Sequence, residues 1–275
     1  MLAKSSNMKR LTCGTAVLAL AVGVAAQTAP PPKASLGSVT VSGVGHPVEK
    51  SYRKMVDGMD LFERMHSLAP NAPLRFKLLP RKRGTNMDDV QLEVVGRTFS
   101  YPVPIAPDRT FTLTRDAKAL AEDAVVSPNR KQLTMTWRVD IRTPGLPPDT
   151  RRLGDQRLEC LVGIQASLVS NTNPLTQFIS DLMTSPTRYC GQKNSKYLLF
   201  ADKPVFSVTL VSGARRETLP VDQLYAKAID DPGLKDDLPF CDCEVMLDRT
   251  YFLPLGDASW PDDTLVMFEF MEDTP

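Results

Sequence analysis

The chain carries two histidines, His46 and His66, and they narrow its chemistry sharply. A Ser-His-Asp or Cys-His nucleophile would have to use one of them. No GxSxG, HExxH, CxxC, P-loop or GxGxxG pattern occurs. That argues against serine hydrolases, zinc proteases, dithiol redox enzymes and nucleotide-binding folds. Scattered carboxylates leave no signature, so a cryptic carbohydrate-active hydrolase stays open as the last-ranked reading.

Four groups of residues have types and spacing that could do chemistry. Met55, Met59, Met65 and His66, with His46 just ahead of them, offer the thioether and imidazole ligands that suit copper. The competing reading is a helix whose apolar face uses methionine to fill gaps, and it is preferred. In Cys241-Asp242-Cys243 both sulfurs would share one face of a strand and could hold a soft metal. An oxidising compartment favours disulfides instead. Arg81-Lys82-Arg83, with Arg75 and Lys77, could dock an anionic lipid or polysaccharide, although beside Pro80 and Gly84 a solvated hairpin tip is the commoner outcome. The acidic loop from Gly256 through Trp260 to Asp263 could be a ligand or calcium loop without EF-hand spacing, or a tryptophan covering the end of a sheet.

The elements that must position these groups are mostly strands. Pro occurs 23 times and Gly 15 times, which cuts the chain into short runs. The clearest helix is Val48 to Leu68, where Val48, Tyr52, Met55, Met59, Phe62 and His66 recur at gaps of four and three. Strands are expected at Ser38–Val44, Leu74–Leu79, Gln91–Val95, Thr98–Val103, Thr110–Thr114, Gln132–Arg142 and Arg157–Val169. In Gln132–Arg142, Leu133, Met135, Trp137, Val139 and Ile141 share one face. A short helix follows at Asn173–Met183. Further strands fall at Lys196–Phe200, Val205–Val211, Glu244–Leu253 and Thr264–Met271, with one or two helical turns at Asp222–Ile229.

The N-terminus reads as an export signal. Lys4, Lys9 and Arg10 precede an apolar run, Leu11 to Val24, and small residues close it. Cleavage is expected between Ala26 and Gln27, with Met1 or Met8 as the start. No later stretch is long and apolar enough for a transmembrane helix. Removing the signal shifts the formal charge from +1 to −2, which gives no electrostatic case for a nucleic-acid partner. It also removes Cys13, leaving Cys160, Cys190, Cys241 and Cys243 as candidates for two disulfides. Three connectivities exist. A Cys241–Cys243 bridge would be strained, so the expected pairs are Cys190–Cys241 and Cys160–Cys243.

Three stretches, PVEKSYRKMVDGMDLFERMHSLAP, MTWRVDIRTPGLPPDTRRLGDQRLEC and LPFCDCEVMLDRTYFLPLGDASWPDDTLVMFEF, resemble a family of exported Gram-negative proteins of unknown function. That resemblance implies export and carries no activity or site residues. More loosely, VPIAPDRTFTLTR resembles the strand-turn-strand of transthyretin-like, carboxypeptidase-regulatory-type sandwiches, with Asp108-Arg109-Thr110-Phe111 where such modules carry Asp-Gly before the Phe strand. It implies an accessory, non-enzymatic role.

Together these readings predict a mainly β (α+β) protein, with antiparallel β-sandwich-like halves and an N-terminal amphipathic helix. The expected organisation is a signal peptide (1–26), a disordered linker (27–37), a short strand and the helix (38–71), a β-sandwich-like domain (72–170), a helical connector (171–195) and a second β-rich region (196–275). The expected function is a non-enzymatic envelope protein, periplasmic or secreted, that binds a partner protein or ligand and needs no cofactor. The alternative is a periplasmic copper-binding protein.

Overall fold

A computed structural model describes residues 47–81, 84–168, 185–193, 196–227 and 245–271. Helix α1 spans Tyr52–Arg64, shorter than the expected Val48–Leu68 because Lys50–Ser51 pair as a strand with Val125–Val126. Ser51 caps it by accepting from the Lys54 N–H at 3.3 Å. Tyr52, Met55, Val56, Gly58, Leu61 and Phe62 form its buried face, on the periodicity the sequence predicts. A 3-10 turn, His66–Leu68, carries the chain out of it.

The fold is mainly β, with several antiparallel sheets and few helices. One sheet runs β1 (Lys50–Ser51), β6 (Val125–Pro128), β3 (Leu92–Val95) and β4 (Ser100–Pro102). A second runs β5 (Thr110–Phe111), β2 (Leu74–Pro80) and β7 (Met135–Ile141). A third joins β11 (Arg215–Thr218), β10 (Val205–Ser212), β13 (Leu265–Phe270) and β8 (Thr150–Arg152). The two-stranded pair is β9 (Leu199–Phe200) with β12 (Thr250–Tyr251). Helix α2 is a short element, Ala117–Ala121, capped by Asp116.

Arg157–Val169 is not a strand. Leu153–Gln165 forms helix α3, and the sequence misled for a physical reason. Ten consecutive or near-consecutive residues, Leu153 to Gly163 without Arg157, are buried, so neither a two-residue nor a 3.6-residue alternation survives. Glycines let its neighbours come close. Gly58 of α1 faces Ala166 and Val162 across the helix contact, and the Leu68 carbonyl and Asp262 backbone crowd the position where Gly154 would carry a Cβ.

The two expected β regions share one sheet and one core. Strand β8 comes from the first region yet pairs with β13 of the second, Val266 opposite Arg151. The buried cluster runs from Val48 through Trp137 and Leu158 to Trp260 and Phe268. All described residues belong to one unit, Ser38–Pro275. Glu244–Leu253 resolves differently from expectation: its described part holds a 3-10 turn, Leu247–Arg249, and only two strand residues. The 3-10 turn at Val221–Gln223 overlaps the start of the expected helical stretch Asp222–Ile229, whereas Tyr225 and Ala226 are left-handed (φ 51° and 48°) and do not continue a helix; Ile229 lies outside the described residues. Ser38–Val44, Asn173–Met183 and the Ala26–Gln27 cleavage site lie outside the described residues. Among the described residues no helix is long and apolar enough to cross a membrane.

The disulfide pairing differs from the expected one. Cys160 of α3 bonds to Cys190 of helix α4 (Pro186–Cys190), with Cα atoms 6.0 Å apart. The two helices bring these cysteines within the span a bridge requires, which rules out Cys190–Cys241 and Cys160–Cys243. Cys241 and Cys243 lie outside the described residues. The bridge closes a loop of 30 residues.

Replacing both Cys160 and Cys190 by Ser is expected to lower stability by about 3–4 kcal/mol, measured by urea unfolding. Gly154→Ala should cost about 1–3 kcal/mol through overpacking against the Leu68 carbonyl, whereas Gly58→Ala brings its Cβ to 2.8 Å from the Ala166 Cβ, a smaller overlap that still forces α1 and α3 apart, and should cost less.

Candidate functional site

Strand β7 presents two different faces. Trp137, Val139 and Ile141 enter the core, as the alternation predicts. The residues between them, Arg138 and Asp140, point to the opposite face. There they lie across from Lys77 and Arg75 of β2, with Arg142 just beyond the strand. This charged face does not meet open solvent: Arg138 and Asp140 are buried. The chain from Tyr197 to Asp202 and the turn Val245–Arg249 roof it, leaving a cleft of about 450 Å³.

Each acid lining the cleft is held by donors. Asp202 accepts from both terminal nitrogens of Arg142 at 2.6 and 2.9 Å and from Lys77 Nζ at 3.2 Å. Asp140 accepts from Arg142 Nε at 2.8 Å. Glu159 of α3 pairs with Arg151 of β8 at 2.6 Å, and both are buried. Asp108 accepts from the Thr110 hydroxyl at 2.6 Å and stands 3.8 Å from Arg75. Fixed fork-like guanidinium pairs of this kind set geometry as well as charge.

The Glu159–Arg151 pair also closes the free edge of β7. Glu159 accepts from the Ile141 N–H at 2.9 Å, and Arg151 donates to the Ile141 carbonyl at 2.6 Å. One helical turn back, Asp155 accepts from the Thr143 N–H at 2.7 Å and the Thr143 hydroxyl at 2.8 Å. Four helical residues rise about 6 Å and two extended residues about 6.7 Å. Carboxylates four apart on α3 therefore reach amides two apart along the edge.

The environment moves these acids in opposite directions. Burial would raise Asp202, but the hydrogen bonds and charges of Arg142 and Lys77 outweigh it and hold the carboxyl well below the usual range. Burial pushes the Glu159 carboxyl up, against the pull of Arg151. A lowered acid contributes stability above its ordinary pKa and loses it as pH falls through the folded value. A raised acid contributes below its ordinary pKa and loses that as pH rises.

No family model, no curated protein and no solved structure matches the chain. The reading therefore rests on the geometry itself.

The candidate metal residues are scattered in role. Met55 is fully buried in the core, and Met59 and Met65 pack against it. His66 stacks on Phe62 with ring centroids 4.5 Å apart, and its Nε2 donates to the Ala72 carbonyl at 3.0 Å, which occupies that nitrogen. His46 lies outside the described residues. Among the described residues no group of three or more His, Cys, Asp or Glu side chains is arranged to hold a metal ion. Of the basic cluster, Arg81 is buried and Lys77 serves the cleft, while Lys82 and Arg83 lie outside the described residues.

The acidic Trp loop is wrapped round an arginine. Arg157 of α3 donates to the carbonyls of Leu255 (2.8 Å), Asp257 (2.8 Å) and Trp260 (2.9 Å), and to the Asp262 carboxylate (2.5 Å). The guanidinium takes the carbonyl and carboxylate oxygens that a calcium ion would need. Trp260 is buried, and Arg215 lies 3.5 Å over its ring.

Sequence reasoning missed Arg138, Asp140, Arg142, Arg151, Glu159, Asp202 and Arg249. A signal existed in TWRVDIR, where Arg138, Asp140 and Arg142 alternate in sign at period two opposite the apolar set. A solvated strand face would carry the same pattern.

Asp202→Asn is expected to flatten the acid limb of stability. Between about pH 4 and pH 2 the parent protein should lose stability faster than the variant, in urea titrations across that range. Arg157→Met should cost about 2–4 kcal/mol, because the loop carbonyls lose a buried charged donor, and added calcium should not restore it.

Proposed function

We propose that the protein is a non-enzymatic binding module of the bacterial envelope, exported to the periplasm or beyond, and that the cleft over β7 receives its ligand. The observation that carries this reading is the state of the cleft's acids. Asp140, Asp202 and Glu159 are each locked onto an arginine, and no Ser, Cys or His is among the described residues that line the cleft. Asp202, held well below the usual carboxylate range, is a poor proton shuttle, since a general acid or base must exchange its proton near the working pH. Asp140 and Glu159 spend their oxygens on arginine and backbone donors. Acids held this way are good scaffolding for a rigid polar pocket of ordinary ligand size. The basic and apolar leader before Ala26 supports export, as does the resemblance to exported Gram-negative proteins.

The test is a thermal-shift screen of the mature protein against small molecules of mixed charge, repeated with Asp140→Asn. At least one chemical class should raise Tm in the parent and lose that effect in the variant. A screen without any cleft-sensitive hit would remove the cleft from the reading. Turnover of a glycoside or ester substrate that disappears in Glu159→Gln or Asp202→Asn would overturn the non-enzymatic assignment.

A further inference from the structure

Six cationic side chains line the cleft, Lys77, Arg109, Arg138, Arg142, Arg151 and Arg249, against four acids, Asp108, Asp140, Glu159 and Asp202. The acids are already engaged with Arg142, Lys77, Arg151, Arg75 and Thr110. Two of the lining arginines, Arg109 and Arg249, form no ion pair with any carboxylate among the described residues.

Each of the two has a second peculiarity. Arg249 donates from one terminal nitrogen to the Asp202 carbonyl at 2.6 Å, which fixes its guanidinium at the cleft wall. Its Nε is buried without a hydrogen-bond partner, and so is Nε of the buried Arg151, which also lines the cleft. Buried donors of this kind normally meet an acceptor. Arg109 sits on the turn before β5 with φ of 64°. This is the left-handed conformation, which glycine adopts freely and a residue with a Cβ does not. Backbone strain of this sort gathers where a side chain is needed in one place. The backbone bonds of the turn, Arg109 N–H to the Ala106 carbonyl and Leu78 N–H to the Arg109 carbonyl, use no side-chain atom. The fold therefore does not need an arginine here.

We infer that Arg109 and Arg249 bind the anionic group of a small organic ligand, a carboxylate or phosphate. The ligand's apolar part lies against Leu199, Phe200 and Met246. The inference deepens the proposed function and rests on the cleft being the ligand site. Guanidinium groups match planar carboxylates and phosphates, and they keep their charge when desolvated. The apolar lip excludes a fully hydrated ion and favours one with an organic body.

The experiment is isothermal titration of the mature protein with benzoate, phenyl phosphate, inorganic phosphate and the neutral benzamide. Benzoate or phenyl phosphate should bind, inorganic phosphate more weakly and benzamide not at all. The preference between the first two tells a carboxylate site from a phosphate site. Arg249→Gln should weaken binding about tenfold or more. Arg109→Gly should weaken it comparably while raising Tm, because glycine relieves the left-handed turn. A purely structural arginine would not give this combination of firmer fold and poorer binding. Benzamide binding as well as benzoate, with sensitivity to Asp140→Asn, overturns the anion inference and leaves the cleft reading standing. Failure of both aryl anions to bind, or parental affinity in both arginine variants, also overturns it.

Discussion

An unpaired strand edge inside a protein is expensive, and most of this structure answers to one such edge. Strand β7 pairs with β2 on one side only. Its other edge is buried, so its amides and carbonyls need partners away from water. Helix α3 supplies them with side chains: Glu159 and Asp155 accept from Ile141 and Thr143, and Arg151 completes the set. A helix thus takes the place of a neighbouring strand. That role explains why α3 carries charge on residues that are wholly buried, and why it must lie close enough for Gly58 and Gly154 to matter.

The cleft follows from the same arrangement. Once α3 and β8 fix Arg151 and Glu159 at the end of β7, the polar face of the strand is roofed instead of solvated. Its charges must then neutralise one another. Arg142 is central, since it holds Asp140 with one nitrogen and Asp202 with the other two. Asp202 belongs to the segment after β9, so this arginine ties the roof to the floor. Asp202 remains exposed and Arg142 half-buried, so that pair adds little net stability, but removing Arg142 would leave the buried Asp140 without its partner. The cleft is accordingly shaped by charge pairing more than by packing.

The sequence made the class of fold legible. Helix α1, β2, β7, β10 and β13 all stand where apolar periodicity places them, because each has one face in the core and one face that is not. It misled at α3, whose burial on nearly every side erases periodicity. It also left β8, β6 and β11 unseen, since short strands such as Thr150–Arg152 depend on a distant partner. The candidate site was less legible than the fold. Charged residues in TWRVDIR read as an outward face until a segment sixty residues later covers them. The residues that did look chemical, Met55 and His66, turn out to be engaged in packing and in a local backbone bond. The acidic loop looked like a cation site because it is one, with Arg157 as the cation.

The Cys160–Cys190 bridge has a mechanical meaning as well. A chain pulled from its two ends transmits tension through the shortest covalent path, and that path crosses the sulfurs. The 30-residue span between them is shielded from load. Its contour, about 100 Å at full extension, is withheld from stretching for as long as the bond survives. Helix α3 enters that shielded span at Cys160, so Arg157, Asp155 and Glu159 lie on the loaded side of the bridge. Under force, the first part of the helix to yield is the part that clasps β7 and the Trp260 loop.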